Sequence, residues 1–139
     1  MINYQGTALI TGASSGIGEA FARELATRGM NVVLVARSQE KLMALASDLS
    51  SNNGIRADAI CIDLSESDGA ESLFRETEAR GIDVTMLVNN AGFATYGPLE
   101  TLELLREQQQ IMLNIHAVVS VVSQIEGSLV NLFEGWTAA

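Results

Sequence analysis

A glycine-rich turn close to the N-terminus constrains the fold more than any other feature of the sequence. The segment Thr11–Gly18 has the sequence TGASSGIG and follows a short apolar run, Thr7–Ile10. After the turn, Ile17, Phe21 and Leu25 stand four residues apart, which predicts an amphipathic helix with these side chains inward. Glycines let the backbone turn tightly, and the helix N-terminus offers free N–H groups and a positive dipole to a phosphate. The pattern therefore predicts a phosphate-binding turn; the alternative is a tight turn without a ligand.

Apolar runs and amphipathic segments alternate along the rest of the chain. Further runs rich in β-branched residues predict buried strands at 31–36, 57–62 and 84–88. A segment with helical spacing follows each of them, and the last starts near Thr101 and extends to about Ser123 with Leu102, Leu105 and Met112 inward. The alternation predicts an α/β fold with a parallel sheet and helices on both faces.

Composition and charge disfavour several classes of partner. The 139 residues suffice for one domain, which we expect to span 1–139 with an atypical or poorly ordered tail over 123–139. The net charge is −9 and the eight basic residues are scattered, which argues against nucleic acid and anionic membranes as partners. No apolar stretch is long enough to span a bilayer and no secretory signal is visible, so we expect a cytoplasmic protein.

Two residue types with reactive side chains occur only once each. Cys61 is the single cysteine, and its apolar neighbours predict a buried, inert thiol. His116 is the single histidine and stands in an apolar helical stretch without a cluster of metal ligands. We therefore expect no disulfide within the chain and no metal site.

A glycine-rich turn between a strand and a helix suits the pyrophosphate of a dinucleotide, and the end of the second predicted strand then bears on which dinucleotide is preferred. Enzymes that use NAD usually carry an acidic residue there, which binds the ribose hydroxyls. This sequence has Arg37 followed by Ser38 instead. A guanidinium pairs well with a 2′-phosphate, so NADP(H) is the preferred cofactor and NAD(H) stays possible. The alternative is that Arg37 is simply a solvated residue in front of a helix.

Four motifs together resemble the short-chain dehydrogenase/reductase family. Thr11–Gly18 is similar to its TGxxxGxG loop, and Asn89–Gly92 is similar to its NNAG motif at the end of the fourth strand. Asp63 stands after the third strand, where the family places an aspartate near the adenine ring. Asn114 matches the asparagine of the catalytic tetrad. The resemblance implies a Rossmann-like parallel sheet with helices on both faces, which is incomplete and has about four to five strands in the order 3-2-1-4-5. It also implies a dinucleotide-dependent oxidoreductase that transfers hydride to or from a carbonyl or alcohol.

The resemblance also implies which residues contact the cofactor. They are Gly12, Ser14, Ser15, Gly16, Ile17, Gly18, Arg37, Asp63, Leu64, Asn90, Ala91 and Gly92, with Asn114 as the one matched catalytic residue. Two purely structural alternatives remain open. The side chain of Asn89 would tie neighbouring strand ends together, and Asp63 would cap a strand end.

The catalytic Tyr-x-x-x-Lys pair of the family does not occur in this sequence. Its tyrosines are Tyr4 and Tyr96, and its one lysine is Lys41. Gly127–Leu132 resembles the family's fifth strand, which normally leads to a catalytic serine, so we expect a truncation, deletion or frameshift. Alternatives to an active enzyme are a nucleotide-binding module without catalysis and an oligomerisation fragment that self-associates through the helix at Thr101–Ser123.

Overall fold

A computed structural model describes residues 3–125, in which strands and helices alternate along the chain. The elements are β1 Thr7–Thr11, α1 Gly16–Thr27, β2 Asn31–Ala36, α2 Gln39–Asn53, β3 Ala57–Cys61, α3 Gly69–Ala79, β4 Met86–Val88, α4 Leu104–Ile111 and α5 Ala117–Gln124. A 3-10 turn at Leu99–Thr101 precedes α4, and a π-helical turn at Met112–His116 joins α4 to α5. The predicted alternation of strands and helices is therefore confirmed over this part of the chain.

The strands form one parallel sheet in the order β3-β2-β1-β4. Leu9 of β1 pairs with Val33 of β2 on one side and with Leu87 of β4 on the other. The predicted order is confirmed for these four strands, and the predicted fifth strand, Gly127–Leu132, lies outside the described residues. Because β1 is central, its carboxyl end lies between the ends of β2 and β4. The glycine-rich loop that follows β1 therefore lies between the segments that follow β2 and β4.

Successive side chains of β1 and β2 pack into two separate apolar layers. Ile10 and Leu34 lie in the layer under α1 and α2, together with Leu25 and Leu42. The alternate positions, such as Leu9, lie in the layer under α3 and α5. This alternation follows from the two-residue period of a strand, and helices cover both faces as predicted.

Three predictions about single side chains are wrong. Cys61 is exposed because it ends β3, which is an edge strand of the described sheet. Its thiol donates a hydrogen bond to the carbonyl oxygen of Arg37 at 3.1 Å. Ile17 is 70% exposed because the first turn of α1 lies at the edge of the sheet rather than over it. Leu105 is 67% exposed, and it shares this exposure with the rest of α4, in which no residue is buried.

Within residues 3–125, no helix has the length and apolar character needed to cross a membrane.

Candidate nucleotide-binding site

A cleft of about 580 Å³ opens where the carboxyl ends of the four strands meet. Every predicted cofactor residue lines it except Gly16 and Gly18. Five further lining residues lie at the strand ends and in the first turn of α2, and a sixth, Leu113, lies in the π-helical turn; the five are Val35, Ala36, Ser38, Lys41 and Ile62. A cleft at this edge of a parallel sheet is where open α/β folds bind their ligands.

The glycine loop is shaped by backbone contacts that exclude larger residues. Gly12 has a φ of +67°, which side chains other than glycine's rarely adopt. A Cβ on Gly18 would overlap the carbonyl oxygen of Gly12 and lie 2.5 Å from Nδ2 of Asn90. The N-cap residue of α1, Ser15, makes no side-chain capping bond, so the first N–H groups of this helix are left for an anion. The loop therefore fits a phosphate group.

The buried hydroxyl of Thr11 links the glycine loop to the segment after β4. Its Oγ1 accepts hydrogen bonds from the N–H groups of Asn90 at 3.0 Å and of Ala91 at 2.9 Å. In return, Nδ2 of Asn90 donates to the carbonyl oxygens of Thr11 at 3.2 Å and Gly12 at 3.3 Å. Asn90 thus ties the strand ends, the role that the sequence suggested for Asn89, which is exposed. Asn90 also lines the cleft, so the two roles coincide in one residue.

Two positive side chains lie together at the β2 end of the cleft. Arg37 and Lys41 both line it, and within residues 3–125 neither forms an ion pair with a carboxylate. Ion pairs are instead formed by Arg23, Arg28, Arg56, Arg75 and Arg80. Lys41 was not predicted as a site residue, although its place four residues after Arg37 was a usable signal. The cleft therefore holds unpaired positive charge in a chain whose net charge is −9.

Asp63 and Leu64 form the wall of the cleft after β3. Oδ1 of Asp63 accepts hydrogen bonds from the N–H of Ser65 at 2.9 Å and from its hydroxyl at 2.6 Å. Partial burial alone would raise the pKa of Asp63, but these two hydrogen bonds and the nearby charge of Arg37 outweigh it and lower the pKa. The carboxylate of Asp63 is therefore held in place by Ser65. Asp63 forms a hydrogen-bonded turn at the strand end, as one alternative expected, and it also lines the cleft. Leu64, 5% exposed, adds an apolar surface.

Asn114 lies in the π-helical turn and holds the chain that follows β4. Its Oδ1 accepts a hydrogen bond from the N–H of Phe93 at 3.1 Å, and its Nδ2 donates to the carbonyl oxygen of Phe93 at 2.8 Å. Gly92 packs against it, because a Cβ there would lie 3.0 Å from Oδ1 of Asn114. Asn114 itself does not line the cleft, so in this structure its side chain positions backbone next to the cleft.

Comparison with known proteins agrees with this geometry. The short chain dehydrogenase family model matches residues 6–135. A very-long-chain 3-oxoacyl-CoA reductase of Phaeosphaeria nodorum is 34% identical over an alignment of 132 positions, which covers 92% of this chain and 39% of the relative. The inactive hydroxysteroid dehydrogenase-like protein 1 of Homo sapiens is 32% identical over 95% of this chain and 43% of its own length.

A solved structure shows the same likeness in three dimensions. The short-chain dehydrogenase of Sphingobium yanoikuyae in complex with NADPH superposes with a TM-score of 0.80 at 33% identity, over 86% of this chain and 46% of that one. The chain thus spans less than half the length of each of these three proteins. Since the family model covers nearly all of its residues, the chain belongs to the short-chain dehydrogenase family of oxidoreductases.

Proposed function

We propose that this chain binds NADP(H) in the cleft at the carboxyl edge of its sheet. The observation that carries the proposal is that one cleft joins a helix N-terminus without a side-chain cap, the cations Arg37 and Lys41, and the segment Asn90–Gly92. The pyrophosphate would lie on the N-terminus of α1, since free N–H groups and the helix dipole both favour an anion there. The adenosine half would extend toward β2 and β3, and the nicotinamide half toward β4.

The pair Arg37 and Lys41 supports a preference for NADP(H) over NAD(H). A 2′-phosphate adds about −1.5 to −2 charges at neutral pH, as other phosphate monoesters do. Two cations that form no ion pair within residues 3–125 favour that charge, and a guanidinium binds phosphate with two parallel hydrogen bonds. Asp63 stands nearby, and its single negative charge offsets only part of the positive charge of Arg37 and Lys41. The charge at this end of the cleft therefore favours the phosphorylated dinucleotide.

We propose hydride transfer between a nicotinamide and a carbonyl or alcohol as the activity of the intact enzyme type. The bound cofactor would supply or accept the hydride, and the protein would bind and orient it. Residues after β4 and in the π-helical turn border the end of the cleft where the nicotinamide would lie. Cytoplasmic location and a single domain over 1–139 stay predictions of the sequence.

A second candidate function is nucleotide binding without turnover. The observation that favours it is that Lys41, the one lysine, follows no tyrosine at the Tyr-x-x-x-Lys spacing. A proton donor in such a reaction typically contributes about 10²–10⁴-fold in rate. Loss of NADPH absorbance with a panel of aldehydes and ketones separates the two candidates. Turnover well above the rate in buffer would contradict the second candidate.

Isothermal titration of the full chain with NADPH and with NADH tests the cofactor. We expect NADPH to bind at least about tenfold more tightly, since a charge-assisted hydrogen bond contributes roughly 1.5–3 kcal/mol. Arg37→Gln should weaken NADPH binding about tenfold and leave NADH binding nearly unchanged. The matched control is Arg75→Gln, which removes an exposed arginine of α3 that does not line the cleft. A folded chain that binds neither dinucleotide would contradict the proposal.

We also propose that the chain self-associates through the helical region at Thr101–Ser123. Ile111, Ile115 and Val119 follow one another at four-residue spacing and are 55%, 61% and 64% exposed. An apolar stripe of this kind on a helix is typical of a surface that another protein covers. A second copy of this chain offers the same stripe, which suits a symmetric contact.

A further inference from the structure

One side of α4 and the π-helical turn holds the three residues that follow Gly92. The contacts come from Arg106, Gln110 and Asn114, which stand four residues apart. Asn114 exchanges two hydrogen bonds with the backbone of Phe93. The guanidinium carbon of Arg106 lies 3.8 Å from the centroid of the Phe93 ring, within the range of a cation–π contact.

Gln110 makes the contact that the family motifs do not anticipate. Its Oε1 accepts hydrogen bonds from the N–H of Thr95 at 2.7 Å and from the Thr95 hydroxyl at 3.0 Å. Within residues 3–125, the Thr95 N–H has no backbone acceptor. Removing the Gln110 oxygen would therefore leave this backbone group without its protein partner.

The segment that Gln110 holds continues directly from the wall of the cleft. Residues 90–92 line the cleft, and residues 93–95 follow them without a break. On the other side of the contact, Leu113 also lines the cleft, one residue before Asn114. These residues lie at the β4 end, and Arg37 lies at the β2 end, on the opposite side of β1.

We infer that Gln110 is a positioning residue for the nicotinamide half of the cofactor, acting through the Thr95 backbone. Gln110 and Asn114 together fix residues 93–95, and these fix the orientation of Asn90–Gly92 at that end of the cleft. The inference rests on the proposed function, because it assumes a dinucleotide in the cleft. Its particular claim is that loss of the Gln110 acceptor weakens binding of one half of the ligand only.

The test compares NADPH with adenosine 2′,5′-bisphosphate, which lacks the nicotinamide half, by isothermal titration of the full chain. Gln110→Met keeps the size of the side chain and removes the acceptor, and Gln110→Glu keeps an acceptor oxygen. Gln108→Met is the matched control, since Gln108 is an exposed glutamine of the same helix. We expect Gln110→Met to bind NADPH about tenfold more weakly, with the bisphosphate unchanged within about twofold. Gln110→Glu and Gln108→Met should resemble the parent chain.

Amide hydrogen exchange at Thr95 gives a second readout that needs no ligand. The exchange should be faster in Gln110→Met than in the parent chain or in Gln110→Glu. Equal weakening of both ligands, unchanged NADPH binding, or unchanged exchange at Thr95 would each overturn the inference. A parent chain that binds neither ligand would instead overturn the proposed function, and the inference with it.

Discussion

At the last position of β1, the side chain of Thr11 accepts hydrogen bonds from two backbone N–H groups of the segment after β4. It is 1% exposed, and its oxygen is the acceptor for the N–H groups of Asn90 and Ala91. A threonine suits this place because its β-branched carbon fits a strand while its hydroxyl reaches the next strand end. The geometry of the cleft wall therefore depends on one hydroxyl outside the lining itself.

Replacing that hydroxyl with a methyl group tests its contribution. Thr11→Val keeps the shape of the side chain and leaves the two N–H groups without their acceptor, so the free energy of unfolding should fall by about 2 kcal/mol. Thr11→Ser keeps the hydroxyl and loses a buried methyl group, which should cost about 1 kcal/mol. Urea denaturation measures both. A valine variant as stable as the serine variant would contradict this account of Thr11.

At the scale of the element, β3 is one of the two strands, with β4, whose outer edge has no neighbour among the described strands. A groove of about 700 Å³ runs beside it, between α2 and α3. Arg80, just after α3, donates a hydrogen bond from Nη1 to the carbonyl oxygen of Ala59 at 3.1 Å and also contacts Asp58 and Glu76. A charged side chain on an open edge hinders pairing with another strand. Arg80 thus blocks an edge that would otherwise accept another chain.

We predict that Arg80→Ala makes the chain associate along this edge. Sedimentation velocity over a range of concentrations should show a larger fraction of dimers and aggregates than in the parent chain. The control is Arg75→Ala, which removes another arginine of the same region whose ion pair is with Glu71, four residues away on α3. If Arg75→Ala and Arg80→Ala sediment alike, edge protection by Arg80 is excluded.

At the scale of the whole molecule, the apolar stripe at Ile111, Ile115 and Val119 lies in the helical region that also contributes one residue, Leu113, to the cleft. Leu113 contacts the cleft, and two positions on, Ile115 is exposed on the surface. The π-helical turn that contains both residues changes which side chains turn inward, because each turn holds more residues than in an α-helix. The proposed self-association is therefore adjacent to the proposed nicotinamide end.

We predict that a charge in the middle of the stripe weakens self-association. Ile115→Asp should shift the average mass from sedimentation equilibrium toward that of a single chain, because a desolvated carboxylate is costly in an apolar contact. His116→Asp adds a negative charge at the next residue, outside the stripe, and should leave the mass unchanged. Equal effects of the two substitutions would argue for simple charge repulsion rather than contact through the stripe.

The sequence predicted those features that depend on neighbours along the chain. The glycine loop and the four strands follow from local patterns of glycine and apolar residues, so their positions were predictable. The strand order was predictable only from the resemblance to the family. The contact of Gln110 with Thr95 could not be predicted in this way, because a loop and the first residues of α4 separate the two residues along the chain. The exposure of Cys61 and Leu105 could not be predicted either, since an apolar pattern does not show whether a strand lies at the edge of the sheet or whether a helix extends past the sheet.

The cleft combines the ends of four strands with a turn of the last helices, so its parts lie as far apart in the chain as Gly12 and Leu113. An unfolded chain brings none of these parts together and has no comparable affinity for a dinucleotide. Any dinucleotide that binds the cleft is therefore thermodynamically linked to folding. At a free concentration of one hundred times its dissociation constant, it would add about 2.7 kcal/mol to the stability of the native state. Cellular dinucleotide levels would then set how much of this chain stays folded.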